Sequence, residues 1–128
     1  MSANGVSRVI VDAAMKVHSA LGPGLLESAY KACLKHEIEK RGLSVRTEVP
    51  LPVIYEDVKL ELGYRLDLLV SELVIVEVKA IEALAPIHQA QIISYLKLSG
   101  KSLGLLINFH VAHLKNGIRR FVLGTDWE

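Results

Sequence analysis

The chain has 128 residues, 51% of them hydrophobic and 23% charged, with a formal net charge of +1. That length suits a single domain over residues 1–128 with one core, and the composition excludes a disordered chain. The one cysteine, Cys33, excludes an intrachain disulfide, a cysteine-based zinc site and a four-cysteine iron–sulfur cluster.

Ser7 is placed to cap a first helix, in which Ile10, Ala13, Ala14, Val17 and Leu21 share one face. Gly22-Pro23-Gly24 stops that helix and opens a second, from about Leu25 to Arg41, with Leu26, Ala29, Tyr30, Cys33 and Leu34 toward a core. Gly42 ends it. Ser44 to Pro50 and Leu51 to Tyr55 read as short strands, with a turn at Glu56-Asp57. Val58 to Val70 reads as one longer strand that begins with a wet face. After a turn near Glu72, Leu73 to Lys79 is a further strand. Pro86 suits the first turn of a third helix that reaches about Ser99 and stops at Gly100. Leu103 to Phe109 is continuously apolar, as a strand buried on both faces must be. Asn116-Gly117 predicts a two-residue hairpin turn into a return strand, Ile118 to Leu123. The order is ααββββαββ, an α/β or α+β arrangement with a mixed sheet. The third helix supplies the crossover between parallel strands.

The stretch GYRLDLLVSELVIVEVKA, residues 63–80, carries Asp67, Glu77 and Lys79 inside otherwise apolar strands. Charged residues are seldom buried unless they are paired or hold a metal. Alternation puts Glu77 and Lys79 on one face, and Val74, Val76 and Val78 on the core face. A three-residue loop, Ser71 to Leu73, sets Asp67 directly opposite Glu77; a two-residue turn separates them. Ser-Glu fits two-residue turn chemistry poorly, which favours the longer loop. Two facing carboxylates repel, and a proton, Lys79 or a divalent cation relieves the repulsion. The plainer alternative is a surface ion-pair cluster with Lys79 neutralising either acid.

Glu27 and Tyr30 share a face of the second helix. Glu27 pairs with Lys31 one turn on, serves the helix N-terminus, or joins a site. Gln91 and Tyr95 lie one turn apart on the third helix with His88 beside them, a pattern equally suited to an amphipathic boundary. His110 and His113 have no ligand-like partners in sequence and read as surface or turn residues. Net charge gives no sign of a strongly basic nucleic-acid binder, though a local patch is compatible with it. Lys97, Lys101, Lys115, Arg119 and Arg120 are the candidate cations for such a patch, with a dispersed surface as the alternative. Aromatic residues are 5% of the chain, which gives little support to sequence-specific single-strand reading. The start MSANGVSRVI lacks signal-peptide features and no apolar run spans a bilayer, so a reducing, cytoplasmic setting is expected.

Taken together these residues resemble the PD-(D/E)XK nuclease superfamily: an acid on a helix, an Asp on one strand and E-x-K on the next. Glu27, Asp67 and Glu77-Val78-Lys79 match that pattern, and Gln91-x-x-x-Tyr95 matches the Q-x-x-x-Y helix of exonuclease-like branches. More closely, Gly24-x-x-Glu27-x-x-Tyr30 is similar to the motif of the small GxxExxY family, and the likeness runs from about Val9 to Val122. Leu66 stands where the superfamily often has Pro. The resemblance implies a restriction-endonuclease-like fold, a central mixed sheet flanked by helices. It also implies Mg²⁺- or Mn²⁺-dependent hydrolysis of nucleic acid, with DNA ahead of RNA. Asp67, Glu77 and the Val78 carbonyl are then the implied metal ligands, with Glu27 completing the site directly or through water. Lys79 orients the attacking water, Gln91 and Tyr95 position the Lys79 end or a phosphate, and Tyr30 braces Glu27 or packs beside it. The alternatives are a non-catalytic nucleic-acid- or protein-binding module that keeps the fold, and a phosphoesterase acting on a small substrate. So compact a domain also leaves room for a homodimer or a protein partner.

Overall fold

The computed structural model describes residues 1–124, so the last four residues of the expected domain lie outside the described residues. Helix α1 (Ala3–Leu21) starts earlier than expected. Ser2, in an extended backbone, caps it by accepting the Gly5 N–H at 3.1 Å, and Ser7 is buried a turn inside. Ile10, Ala13, Ala14 and Val17 form the buried stripe, whereas Leu21, the last helical residue before Gly22 turns the chain at φ 66°, is exposed. Helix α2 (Glu27–Lys40) begins two residues later than expected. Leu26 is its extended N-cap and points to solvent, while Tyr30, Leu34 and Ile38 supply the core face.

Tyr30 explains why the chain between these helices holds its shape. Its hydroxyl donates to the Gly22 carbonyl at 2.5 Å and accepts the Leu25 N–H at 3.1 Å. Its fully buried ring stacks on Phe109 with centroids 4.7 Å apart. Gly24 turns the intervening loop at φ 105°, a conformation open to glycine at little cost.

Five strands form the main sheet in the order β1 (Val45–Pro50), β4 (Arg65–Val70), β5 (Val74–Lys79), β6 (Leu103–Asn108) and β7 (Ile118–Val122). β5 and β6 are parallel and the other pairs antiparallel. Helix α3 (Pro86–Ser99) makes the crossover and ends at left-handed Gly100. α1 and α2 cover one face over Leu68, Val74, Val76, Val78, Leu105 and Ile107. α3 covers the other, with Tyr95 and Leu96 against Leu66, Leu69 and Ile75. It sits close to β6: a Cβ on Gly104 would come within 3.1 Å of the Ile92 side chain.

Two sequence expectations change. The strand expected over Val58 to Val70 is broken by Gly63 at φ 84°. Its first part, β3 (Val58–Leu60), pairs instead with β2 (Val53–Tyr55) in a separate hairpin, turned by Glu56 and Asp57 at positive φ. The order is therefore ααβββββαββ, with five strands before α3. Asn116-Gly117 does not make a hairpin turn either, since neither residue has positive φ. Residues 109–117 form a longer link ending in a 3-10 turn, Leu114–Gly117. Gly117 is required there for close approach, because a Cβ would lie 2.2 Å from the Asn108 carbonyl oxygen.

Tyr30→Phe keeps the stack on Phe109 and removes both hydrogen bonds of the hydroxyl. It is expected to cost roughly 1–3 kcal/mol, read as a lower urea midpoint with an unchanged slope. An unshifted midpoint would show that the loop between α1 and α2 does not depend on this hydroxyl.

Candidate active site

The site begins where β4 and β5 stop pairing. Their ladder runs Val70↔Val74, Leu69↔Ile75 and Leu68↔Val76; one step further Asp67 faces Glu77, as the three-residue loop requires. That loop nevertheless holds Ser71 and Glu72 at φ 52° and 58°, a geometry more usual for Asn and Gly. Arg46 on β1 grips Glu72 through two 2.7 Å hydrogen bonds and holds it there.

Beyond Leu68 and Val76 side chains take over from the ladder. Asp67 Oδ2 accepts the Val78 N–H at 2.9 Å, and Glu77 Oε2 accepts the Asp67 N–H at 2.8 Å. Each carboxylate satisfies a backbone donor that the parting strands leave open. The Lys79 carbonyl is taken on the other side by the Phe109 N–H. Successive strand residues present their backbone groups to opposite neighbours, so the Val78 carbonyl faces the same gap as its N–H. Asp67, Glu77 and Val78 thus border one gap with oxygen atoms, a donor set that suits a hard divalent cation.

The aim of Asp67 depends on a lapse in the alternation. Val45 and Val49 should share a face of β1, yet the first packs toward α1 and α2 and the second toward α3. Leu66 and Leu69 should oppose each other on β4, yet both pack toward α3. Between them Glu48 sits at φ 51°, and the β1–β4 pairing skips one step and resumes in the same register. At this lapse Asp67 Oδ1 meets Lys31 Nζ of α2 at 3.2 Å, and Lys31 also binds Glu48 Oε1 at 2.6 Å. Burial alone would lower the Lys31 pKa; the hydrogen bonds and charges of Glu48 and Asp67 outweigh it and raise the ammonium above its ordinary value.

Glu27 makes no hydrogen bond or ion pair to either acid among the described residues. It is the first residue of α2 and does not pair with Lys31, which is turned to Asp67 and Glu48. Among the described residues no three His, Cys, Asp or Glu side chains are grouped to hold a metal ion. Glu27 does share a helix side with Lys31, one turn on, and so faces the same end of the sheet. The Tyr30 hydroxyl bonds to Gly22 and Leu25 and so fixes the loop that launches α2 at Glu27.

Lys79 lies in a cleft of about 560 Å³ together with Tyr64, Gln91 and Tyr95. Gln91 Nε2 donates to the Tyr95 hydroxyl at 3.0 Å, and Lys79 makes no ion pair among the described residues. The charge of Lys79 still favours the ionised form of Glu77, while the direct ion pair to Asp67 is made by Lys31. The loop after Lys79 is tied down by buried Asn108, whose side chain accepts the Ile81 N–H at 3.1 Å and donates to the Ile81 carbonyl at 2.9 Å. None of Lys97, Lys101, Lys115, Arg119 and Arg120 lines this cleft or bonds to Asp67. Lys101 lies near Glu72 at the far end of β5, and Arg120 binds Asn4 on α1.

Glu77 is almost fully buried. Burial, then the charge of Asp67, pushes its carboxyl up to about 8. Burial, then the charge of Glu77, raises Tyr95 as well. Sequence reasoning passed over Lys31, Glu48 and Asn108. Lys31 carried a usable signal, its place one turn after Glu27; Glu48 and Asn108 are recognisable only in three dimensions.

A mixed sheet with a crossover helix, and an Asp facing Glu-x-Lys where two strands part, define a nuclease-type domain. The chain belongs to the PD-(D/E)XK nuclease superfamily, whose sequence model matches residues 4–121. No curated protein and no solved structure matches significantly. Nucleases of this superfamily typically use divalent metal ions and act on nucleic acid. No helix among the described residues is long and apolar enough to cross a membrane.

The Glu77 carboxyl has a consequence for the metal-free protein. Its pKa is about 8 folded against 4.5 in its ordinary state, so the folded chain binds more protons between those values. The stability this contributes is complete below pH 4.5 and is lost as pH rises through about 8, with a slope up to roughly 1.4 kcal/mol per pH unit. In chelator, Glu77→Gln is expected to flatten that loss in urea melts from pH 5 to 9. The same slope in both proteins would remove Glu77 as its source.

Proposed function

We propose that this protein is a divalent-metal-dependent nuclease that hydrolyses phosphodiester bonds, with DNA ahead of RNA as substrate. The observation that carries the reading is the oxygen-lined gap at Asp67, Glu77 and Val78 beside an ammonium, Lys79, that has no ion-pair partner among the described residues. Asp67, Glu77 and the Val78 carbonyl would hold Mg²⁺ or Mn²⁺, and Glu27 would act through water. When bound, such an ion supplies Lewis acidity at a phosphoryl oxygen and lowers the pKa of water. Lys79 orients the attacking water and offsets negative charge that builds on the phosphate. Gln91 and Tyr95, hydrogen-bonded to each other, position the Lys79 end of the cleft. Lys31 neutralises Asp67 in the metal-free protein.

Within the superfamily we place the chain with the GxxExxY family, on Gly24, Glu27 and Tyr30. We take residues 1–128 as one nuclease-like domain. The single cysteine supports a reducing, cytoplasmic setting. So compact a domain leaves room for a homodimer or a protein partner that completes the grip on nucleic acid.

Purified protein is expected to cleave labelled single- or double-stranded DNA or RNA with Mg²⁺ or Mn²⁺, and Lys79→Ala to lose about a hundredfold or more of that rate. Cleavage that persists in Lys79→Ala would assign it elsewhere. Binding of a polymer without cleavage would leave a non-catalytic module that keeps the fold. Calorimetric Mn²⁺ titration is expected to show at least about tenfold weaker binding in Asp67→Ala; equal affinity would remove Asp67 from the metal site.

A further inference from the structure

The cleft beside Lys79 is more than the back of the reacting centre. Its lining combines polar Lys79 and the Gln91–Tyr95 pair with apolar surface from Val53, Tyr64 and Ile87. Its volume of about 560 Å³ is in the range of small-ligand sites. Tyr64 stands in the link between β3 and β4, just after Gly63 turns the chain, and three residues before Asp67. Its carbonyl accepts the Leu51 N–H at 2.8 Å, so its backbone is anchored. Its ring leans on Tyr95 at 60° with centroids 6.3 Å apart, yet the residue stays 44% exposed. Tyr95 is itself buried and held by Gln91, so Tyr64 rests on a fixed support.

We infer that this cleft is a nucleotide subsite in which Tyr64 stacks on a base while Lys79 and the Gln91–Tyr95 pair face the adjoining phosphate. The inference rests on the nuclease reading and narrows it to single strands and unpaired ends. A base inside a duplex is covered on both faces and has no free face for Tyr64, whereas an unpaired base has one. Stacking of this kind is tolerant of sequence, because every base has a π-face. It therefore does not require the aromatic-rich surface of a sequence-specific single-strand reader.

The test is fluorescence anisotropy of the full chain in chelator and low salt, with a labelled 12-nucleotide oligothymidylate and a labelled 12-base-pair duplex as probes. Tyr64→Ala is expected to weaken single-strand binding roughly 5- to 100-fold and to leave duplex binding within about twofold. Tyr64→Phe and Tyr64→Trp keep a stacking face and are expected to retain the wild-type single-strand affinity, which separates lost stacking from a damaged fold. Unchanged oligothymidylate binding in Tyr64→Ala, or an equal loss on both probes, overturns the subsite and leaves the nuclease reading standing. Wild-type protein that binds neither probe overturns both.

Discussion

Two acidic side chains accept backbone N–H groups where β4 and β5 part, and the rest of the site is arranged around those two bonds. Asp67 holds the Val78 N–H and Glu77 holds the Asp67 N–H, so each acid is fixed by the strand that carries the other. A sheet normally closes such a gap by continuing its ladder. Here the gap stays open at its oxygen-rich end while its donors remain satisfied, so the protein can fold around two facing acids. Burial keeps a proton on Glu77 near neutral pH, and Lys31 supplies the charge that Asp67 needs. The site is held by the same bonds that hold the sheet.

Much of this was legible from residue order alone. The alternation Val74, Val76, Val78 against Glu77 and Lys79 fixed which side of β5 faces α1 and α2, because period-2 geometry leaves one solution. The length of the 71–73 loop then put Asp67 across from Glu77. The crossover followed from the helix between Lys79 and Leu103. What failed were places where one residue serves two purposes. Gly117 looked like a turn residue and is needed for contact with the Asn108 carbonyl. Gly63 sat inside an alternating run and breaks it, sending β3 to β2. A glycine's sequence neighbours do not distinguish free rotation from close packing.

The candidate site was legible as a set of residues and illegible as a charge balance. Lys79 was the natural neutraliser by proximity in sequence, one position from Val78. In three dimensions it lines the cleft and reaches Glu77 through its charge alone, while Lys31, from another element, makes the ion pair to Asp67. Glu48 secures that arrangement from a left-handed backbone conformation on an outer strand, which no pattern of residue types announces. Long-range ion pairs of this kind depend on how helices are laid on a sheet, and periodicity is silent on that placement.

The run from Gly24 to Tyr30 divides its labour unequally. Gly24 turns the chain and Tyr30 locks the loop with two backbone hydrogen bonds and a ring stack; Glu27 alone carries a charge. As a signature the motif therefore reports mainly on architecture. A search keyed to it would retrieve descendants in which Asp67 or Lys79 had been lost as readily as active ones, because nothing in its spacing senses β5. Sorting active from inactive members calls for the strand residues, scored separately from the helix that advertises the fold.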